Sequence, residues 1–399
     1  MQATVDVPSG VVDGVSTIRF RPDLQTDLVV LRLWANSPRI AAVGGSESVG
    51  AITDAATGAA LATTQPDSTT VVVQLPAPIG DGDEVALTVP FHLQVGGSVD
   101  DRVSHSGDTL RLGSFLPLLA WEPGVGWDLE PPTSGFAEAA TSTVADWSLT
   151  LAVTPGYEVL ASGRRDGDTW RITAARDVAA SIGRFRVVTA VENLPNPVQV
   201  DVGVDPSLGV DENAFLARVV DALRDYSVRF GPYPYETFTL AVTPDLDGGI
   251  EFPAHVMQGP DTIGRTTPHE VGHQWFYALV GNDQGRDPFL DEALASYAEF
   301  RHEGTIDANR AKPIPTVGQG LAGAPMTYWE DRQDAYYRSV YVQGAVAVAS
   351  LGDLDLVDCA LRLYVATNAY RIARPADLVA ALSVVFPDAA AQLLPYGIG

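Results

Sequence analysis

The chain has 399 residues, 46% of them apolar, and its 50 acidic against 25 basic residues give a net charge of −25. A surface this acidic repels nucleic acid and anionic membranes, so neither is expected as a partner, and no uninterrupted apolar run is long enough to span a bilayer. The single cysteine, Cys359, excludes an internal disulfide and any cysteine-based metal site.

The length exceeds what one core normally serves, so two domains are expected. The first half reads as β structure. Val29–Trp34, Thr70–Leu75 and Glu84–Val89 are short β-branched runs separated by Gly, Pro, Asp and Ser clusters such as Gly80-Asp81-Gly82-Asp83. Trp147–Val153 alternates, and Val159–Thr173 reads as a hairpin turning across Arg165-Asp166-Gly167-Asp168. Strands at this spacing predict an antiparallel β-sandwich or saddle over residues 1–195.

After Asn193-Leu194-Pro195-Asn196-Pro197 the pattern changes. A strand, Val198–Val204, leads to Asp211-Glu212 and a helix whose apolar positions Phe215, Val219, Leu223 and Tyr226 recur at helical spacing. Residues 196–399 are then predicted to be mainly helical, with one strand near Phe238–Val242 and closing helices at Ala347–Leu351, Leu361–Ala366 and Pro375–Val385. The chain is thus an α+β protein. Gly318-Gln319-Gly320-Leu321-Ala322-Gly323 fits a dinucleotide-binding spacing but lacks the strand–helix context, so it reads as a loop. Cys359 sits in an apolar stretch, Leu356–Leu361, and is expected to be a buried, inert thiol.

One cluster carries chemistry. His269-Glu270-Val271-Gly272-His273 is followed by Glu292 after 18 residues. On a helix, histidines four apart share a face, so their ring nitrogens can meet at one metal ion with Glu270 beside it. Two His and one Glu form a hydrolytic zinc set, leaving a fourth position for water, and imply one zinc ion per chain. A third His six residues after the second, used by some zinc peptidases, is excluded because Leu279 stands there. Glu292 instead opens a second helix, on which Leu290, Leu294 and Tyr297 would face the core and Glu292 the first helix. Thr267-Pro268-His269-Glu270 also fits a capping box, so Glu270 can be read as a cap, and Asp287 as a cap or as an acceptor for a ligand histidine. Glu299, two turns beyond Glu292, can support the same site.

These residues resemble the aminopeptidase-N-like gluzincins. The segments His269–Phe276 and Asp291–Tyr297 carry that resemblance, together with Gly248-Gly249-Ile250-Glu251-Phe252-Pro253, similar to the family's exopeptidase motif, and Tyr341-Val342-Gln343-Gly344-Ala345, similar to the segment that begins with its catalytic tyrosine. The resemblance implies a thermolysin-like catalytic domain behind the β domain. It implies zinc held by His269, His273 and Glu292, Glu270 as general base and Tyr341 as oxyanion donor. It also implies that Glu251 binds the free amine of a peptide substrate while Gly248 and Gly249 line its main chain. Read from the residues alone, Tyr341 could equally be a packed aromatic, with Tyr336 and Tyr337 as competitors, and Glu251 an exposed acid after a glycine turn. The chain departs from the family at Ala293, where Gly is usual, and at Phe252, where Asn is common. The family's amine-holding residue from the N-terminal domain has no clear counterpart; Glu122 is a candidate substitute or an ordinary loop charge.

The leading expectation is a zinc aminopeptidase acting on peptides. A zinc endopeptidase with the same site and a non-catalytic binding protein on the same fold are the alternatives. A nearly lysine-free acidic chain, with Lys312 beside 24 arginines, suits an extracellular or envelope protein whose leader has been removed, with a cytoplasmic location as the alternative. The sequence leaves the oligomeric state and the preferred first residue open.

Overall fold

Val85–Gln94 buries Val85, Leu87, Val89, Phe91 and Leu93, every second residue, and pairs along its whole length with Val11–Phe20. In the computed structural model, which describes residues 1–130, 132–134, 142–261 and 263–399, this pair is the spine of an eight-stranded sheet. Its apolar face meets a four-stranded sheet built on Thr26–Arg32 and Thr70–Ile79. Phe20, Val29, Leu31, Val71, Val73, Leu87, Val89 and Trp121 fill the space between them. The sandwich is antiparallel except where Gln2–Asp6 runs parallel to Ala145–Val153.

Two local readings change. The strand expected to reach Trp34 ends at Arg32, and Trp34–Asn36 forms a 3-10 turn. Asn36 then bonds the backbone of a neighbouring strand, donating to the Glu47 carbonyl at 2.8 Å and accepting from its N–H at 2.6 Å. The hairpin expected over Val159–Thr173 splits in two. Arg164–Asp166 and Thr169–Ala175 pair in the large sheet, while Glu158–Ala161 joins a separate four-stranded sheet with Ala179–Gly183. Gly163 makes the transfer with φ +95°, where a Cβ would also press on the Arg171 carbonyl.

Glu47 is fully buried, and burial raises its carboxyl well above the ordinary value, with the Ala35 backbone favouring the charged form. An acid raised in the native state contributes stability that is complete below about pH 4.3 and lost as pH rises through the native value. Glu47→Gln is therefore expected to stabilise the protein at pH 8 by about 1–3 kcal/mol. The gain should shrink toward pH 5. Urea midpoints at the two pH values check this; equal midpoints for variant and parent at pH 8 would refute it.

The second half is organised on a five-stranded sheet in the order Arg186–Asn193, Pro197–Val204, Thr237–Val242, His255–Gln258, Gly249–Phe252. Its first strand lies before residue 195, because Arg186–Asn193 pairs with Pro197–Val204 across the Pro-rich turn that read as a boundary. The sequence reading anticipated two of these strands, Pro197–Val204 and Thr237–Val242, and missed the edge pair Gly249–Phe252 and His255–Gln258. Helices Glu212–Phe230, Thr266–Gly272, Phe289–Glu303, Gln343–Ala349, Leu354–Asn368 and Pro375–Val385 pack around this sheet.

Both halves share one apolar core, in which Val12 and Leu151 of the sandwich belong to the same cluster as Leu240 and Val357. Buried arginines stitch the halves together. Arg111 donates to the carbonyls of Val99, Asp101, Pro244 and Asp245, fixing two loops at once. Arg176 is caged by the carbonyls of Ser142, Ala278 and Arg371, against Gly281, where any side chain would collide with it. Cys359 is exposed, contrary to expectation: on Leu354–Asn368 the buried apolar positions are Val357, Ala360, Leu361, Tyr364 and Val365, and residue 359 falls on the opposite face. Among the described residues no helix is long and apolar enough to cross a membrane.

Candidate active site

The helix Thr266–Gly272 is buried over its whole length, and His273 follows as its last αR residue, its N–H still bonded to the His269 carbonyl. Both histidines therefore keep helical spacing. Phe289–Glu303 crosses this helix where Gly272 faces Ala295 and Ala298, and the small residues let the two backbones approach. Its stretch from Phe289 to Phe300 is buried on all sides, so Glu292 is held rigidly. The capping readings fail here. Among the described residues the motif helix has no side-chain cap, and neither does the Glu292 helix, where Pro288 occupies the cap position. Thr267 instead bonds Gln258, and Asp287 faces the charges of Arg374 and Arg286.

His269 Nε2, His273 Nε2 and Glu292 Oε2 converge, with separations of 3.1 Å between the nitrogens and 3.1 and 3.4 Å from the nitrogens to the oxygen. Ligand bonds of the length zinc makes to His and carboxylate give a tetrahedral edge of about 3.3 Å. The outer ring nitrogens have other partners: His273 Nδ1 lies 3.1 Å from the Phe276 carbonyl, and His269 Nδ1 3.4 Å from Ser296 Oγ and 3.6 Å from Glu299. With those nitrogens protonated, both Nε2 lone pairs and a carboxylate face one point. That arrangement repels itself unless a cation sits there. The donor set fits zinc.

Three further groups surround this point in a cavity of about 270 Å³. Glu270 is buried, and among the described residues its Oε2 has no hydrogen-bond partner. Glu251, Glu270 and His273 each bring an oxygen or nitrogen within 4.8 Å of the others. Glu251 is buried rather than exposed, on the edge strand Gly249–Phe252. Gly248 opens to free space, whereas any side chain at Gly249 would run into the Glu270 carboxyl. Tyr341 lines the cavity from a π-helical turn, Arg338–Val342, and stacks on His269 with centroids 5.5 Å apart and planes at 14°. Tyr336 and Tyr337 reach the same cavity and pack on the Tyr341 ring at 5.4 and 5.2 Å.

The electrostatics are those of a crowded acidic site. Burial opposes charge on His269, but hydrogen bonds to Glu292 and Glu299 carry it up to about 9. Burial likewise opposes charge on His273, yet Glu251 and Glu292 raise it well above its ordinary value. Burial pushes Glu270 up to about 8 against the pull of the two histidines. Glu292 is held well below the carboxylate range; burial works against this, and His273 and His269 outweigh it.

The positions that depart from the resembled pattern are accommodated by local packing. Ala293 is accommodated by Gly344, where a Cβ would strike the Ala293 methyl. Phe252 packs in a small core with Leu246, Ile250 and Met257, and its ring fills the space over Gly113. Glu122 does not reach the cavity: it is buried and pairs with Arg374. The N-terminal half contributes Asp100, Asp101 and Arg102 instead, on one of the two loops that Arg111 fixes. Sequence reasoning missed them because no local pattern marks which sandwich loop meets the second half. It also missed Gln274, whose side chain bonds both the Phe252 carbonyl and the Ala254 N–H and ties the edge hairpin to the histidine motif.

No family model matches the chain. Aminopeptidase N of Rattus norvegicus is 26% identical over 156 residues, a match covering 34% of this chain and only 15% of that relative's length. The crystal structure of an M1 zinc metallopeptidase from Deinococcus radiodurans superposes with a TM-score of 0.75 at 21% identity, covering 100% of this chain and 92% of that one. A mutant M1 zinc metallopeptidase from the same organism, bound to a Tyr-Ser-Ala substrate, gives 0.73 at 20% identity over 99% and 92% of the two chains. The fold is that of the two-domain M1 zinc metallopeptidases. The sequence resemblance had implied this fold, and the donor set it carries here suits a hydrolytic zinc.

Proposed function

We propose that the protein is a zinc aminopeptidase that removes the first residue from peptides. The observation that carries this reading is a third carboxylate, Glu251, beside Glu270 and His273 but outside the zinc donor set. Zinc held by His269, His273 and Glu292 would polarise the scissile carbonyl and acidify water. Glu270, buried and with one oxygen unpartnered among the described residues, takes a proton from the attacking water and returns it to the leaving nitrogen. Tyr341, stacked on His269, donates its phenol hydrogen to the developing oxyanion. Glu251 binds the substrate ammonium, and Gly248 leaves the sheet edge open to an extended main chain. Peptide binding in the Deinococcus relative accords with this use of the cavity.

Comparing a free tripeptide with its N-acetylated form tests the reading. Acetylation is expected to lower kcat/KM by about 100-fold or more, because an ion pair buried with Glu251 is lost. Equal rates on the two substrates would favour an endopeptidase with the same zinc. The packing of Gly249 on Glu270 gives a second expectation. Gly249→Val should displace the base and lower kcat by about 100-fold, with zinc content unchanged by metal analysis.

A further inference from the structure

Between the histidine motif and the Glu292 helix lies a short loop whose Gln284 is fully buried. Its Nε2 donates to Glu251 Oε1 at 3.0 Å and to Asp291 Oδ2 at 2.8 Å. The other Asp291 oxygen accepts from Asn282 Nδ2 and from the Glu292 N–H, each at 3.0 Å. One amide thus spends both its hydrogens on two carboxylates. The first lines the cavity, and the second is locked to the backbone of a zinc-donor residue. Turning the amide over would set its oxygen against both carboxylates, so the network fixes its orientation.

The choice of a neutral donor matters. A lysine or arginine here would hold Glu251 equally well but would neutralise it, and the substrate ammonium would then meet a satisfied carboxylate. A water would hold it without setting a distance. Gln284 orders the carboxylate without adding a positive charge. Through Asp291 it also ties Glu251 to the first turn of the helix that carries Glu292.

We propose that Gln284 is a positioning residue that holds Glu251 at a set distance from the Glu292 helix without adding a positive charge, and that this spacing restricts cleavage to the first peptide bond. The inference rests on the aminopeptidase reading above.

The test uses the zinc-loaded full chain, the tripeptide pair and Gln284→Met, which keeps the volume and removes both donors. KM for the free tripeptide is expected to rise about 10–100-fold, the loss of a hydrogen bond to a charged group, while kcat stays within a few-fold. The preference for free over acetylated substrate should fall by the same factor, with zinc content unchanged. Preference retained in Gln284→Met would overturn the proposal and leave the aminopeptidase reading standing. No preference in the parent enzyme would sink both. If Gln284→Met does not fold, Gln284→Asn, too short to reach both carboxylates, is read the same way: retained preference overturns the proposal, and its loss with kcat preserved supports it.

Discussion

Glu270→Gln is expected to lower kcat by about 10²–10⁴-fold while the protein keeps its zinc. The substitution preserves shape in a buried position and removes only the capacity to accept a proton. Glu270 contributes no atom to the donor triangle of His269, His273 and Glu292, so metal content should stay at the parent's level. KM should change little, since the proposed mechanism assigns the substrate amine to Glu251 and not to Glu270. Single-turnover rates with parallel metal analysis check this. Full activity in the variant would remove Glu270 from the chemistry, and loss of zinc would mean that it helps hold the ion.

The second large effect is loss of the ion itself. His273→Ala is expected to reduce bound zinc to background and to abolish hydrolysis, and added zinc should not restore it. Chelator-treated parent protein should behave differently, regaining activity when zinc is returned. The apo parent should also melt earlier, because a ligand present at a thousandfold over its Kd stabilises the folded state by about 4 kcal/mol. With the ion gone, two lone pairs and a carboxylate 3.1–3.4 Å apart must be satisfied by protons alone. A parent enzyme fully active after exhaustive chelation would refute the assignment.

The positions that differ from the pattern the chain resembles show how packing accommodates a residue. Ala293 adds a methyl where two helices touch, and Gly344 on the facing helix supplies the missing volume. Phe252 cannot serve as a polar group in the cavity, and its ring turns into the core over Gly113. Each pair is far apart in sequence, 293 with 344 and 252 with 113, so neither compensation could be read from a local motif. The same holds for Glu122. An acid between Trp121 and Pro123 reads as a solvent-exposed loop charge until Arg374, from the other end of the chain, is brought beside it.

What the sequence determined by itself was the short-range geometry of the histidine motif and of the alternating sandwich strands. Helical spacing places His269 and His273 on one face, the ligand types name the metal, and alternation marks the sandwich strands, because side-chain direction within one element follows from backbone periodicity. Tertiary structure alone decided what depends on closing long loops. It brought Asp100, Asp101 and Arg102 to the cavity, placed Glu251 on a sheet edge beside Glu270, and set Tyr341 rather than its neighbours flat on His269. It also joined Glu251 to Asp291 through Gln284. Those contacts depend on how helices and sheets pack around a shared core, and packing is a property of volumes and facing surfaces that no single segment contains.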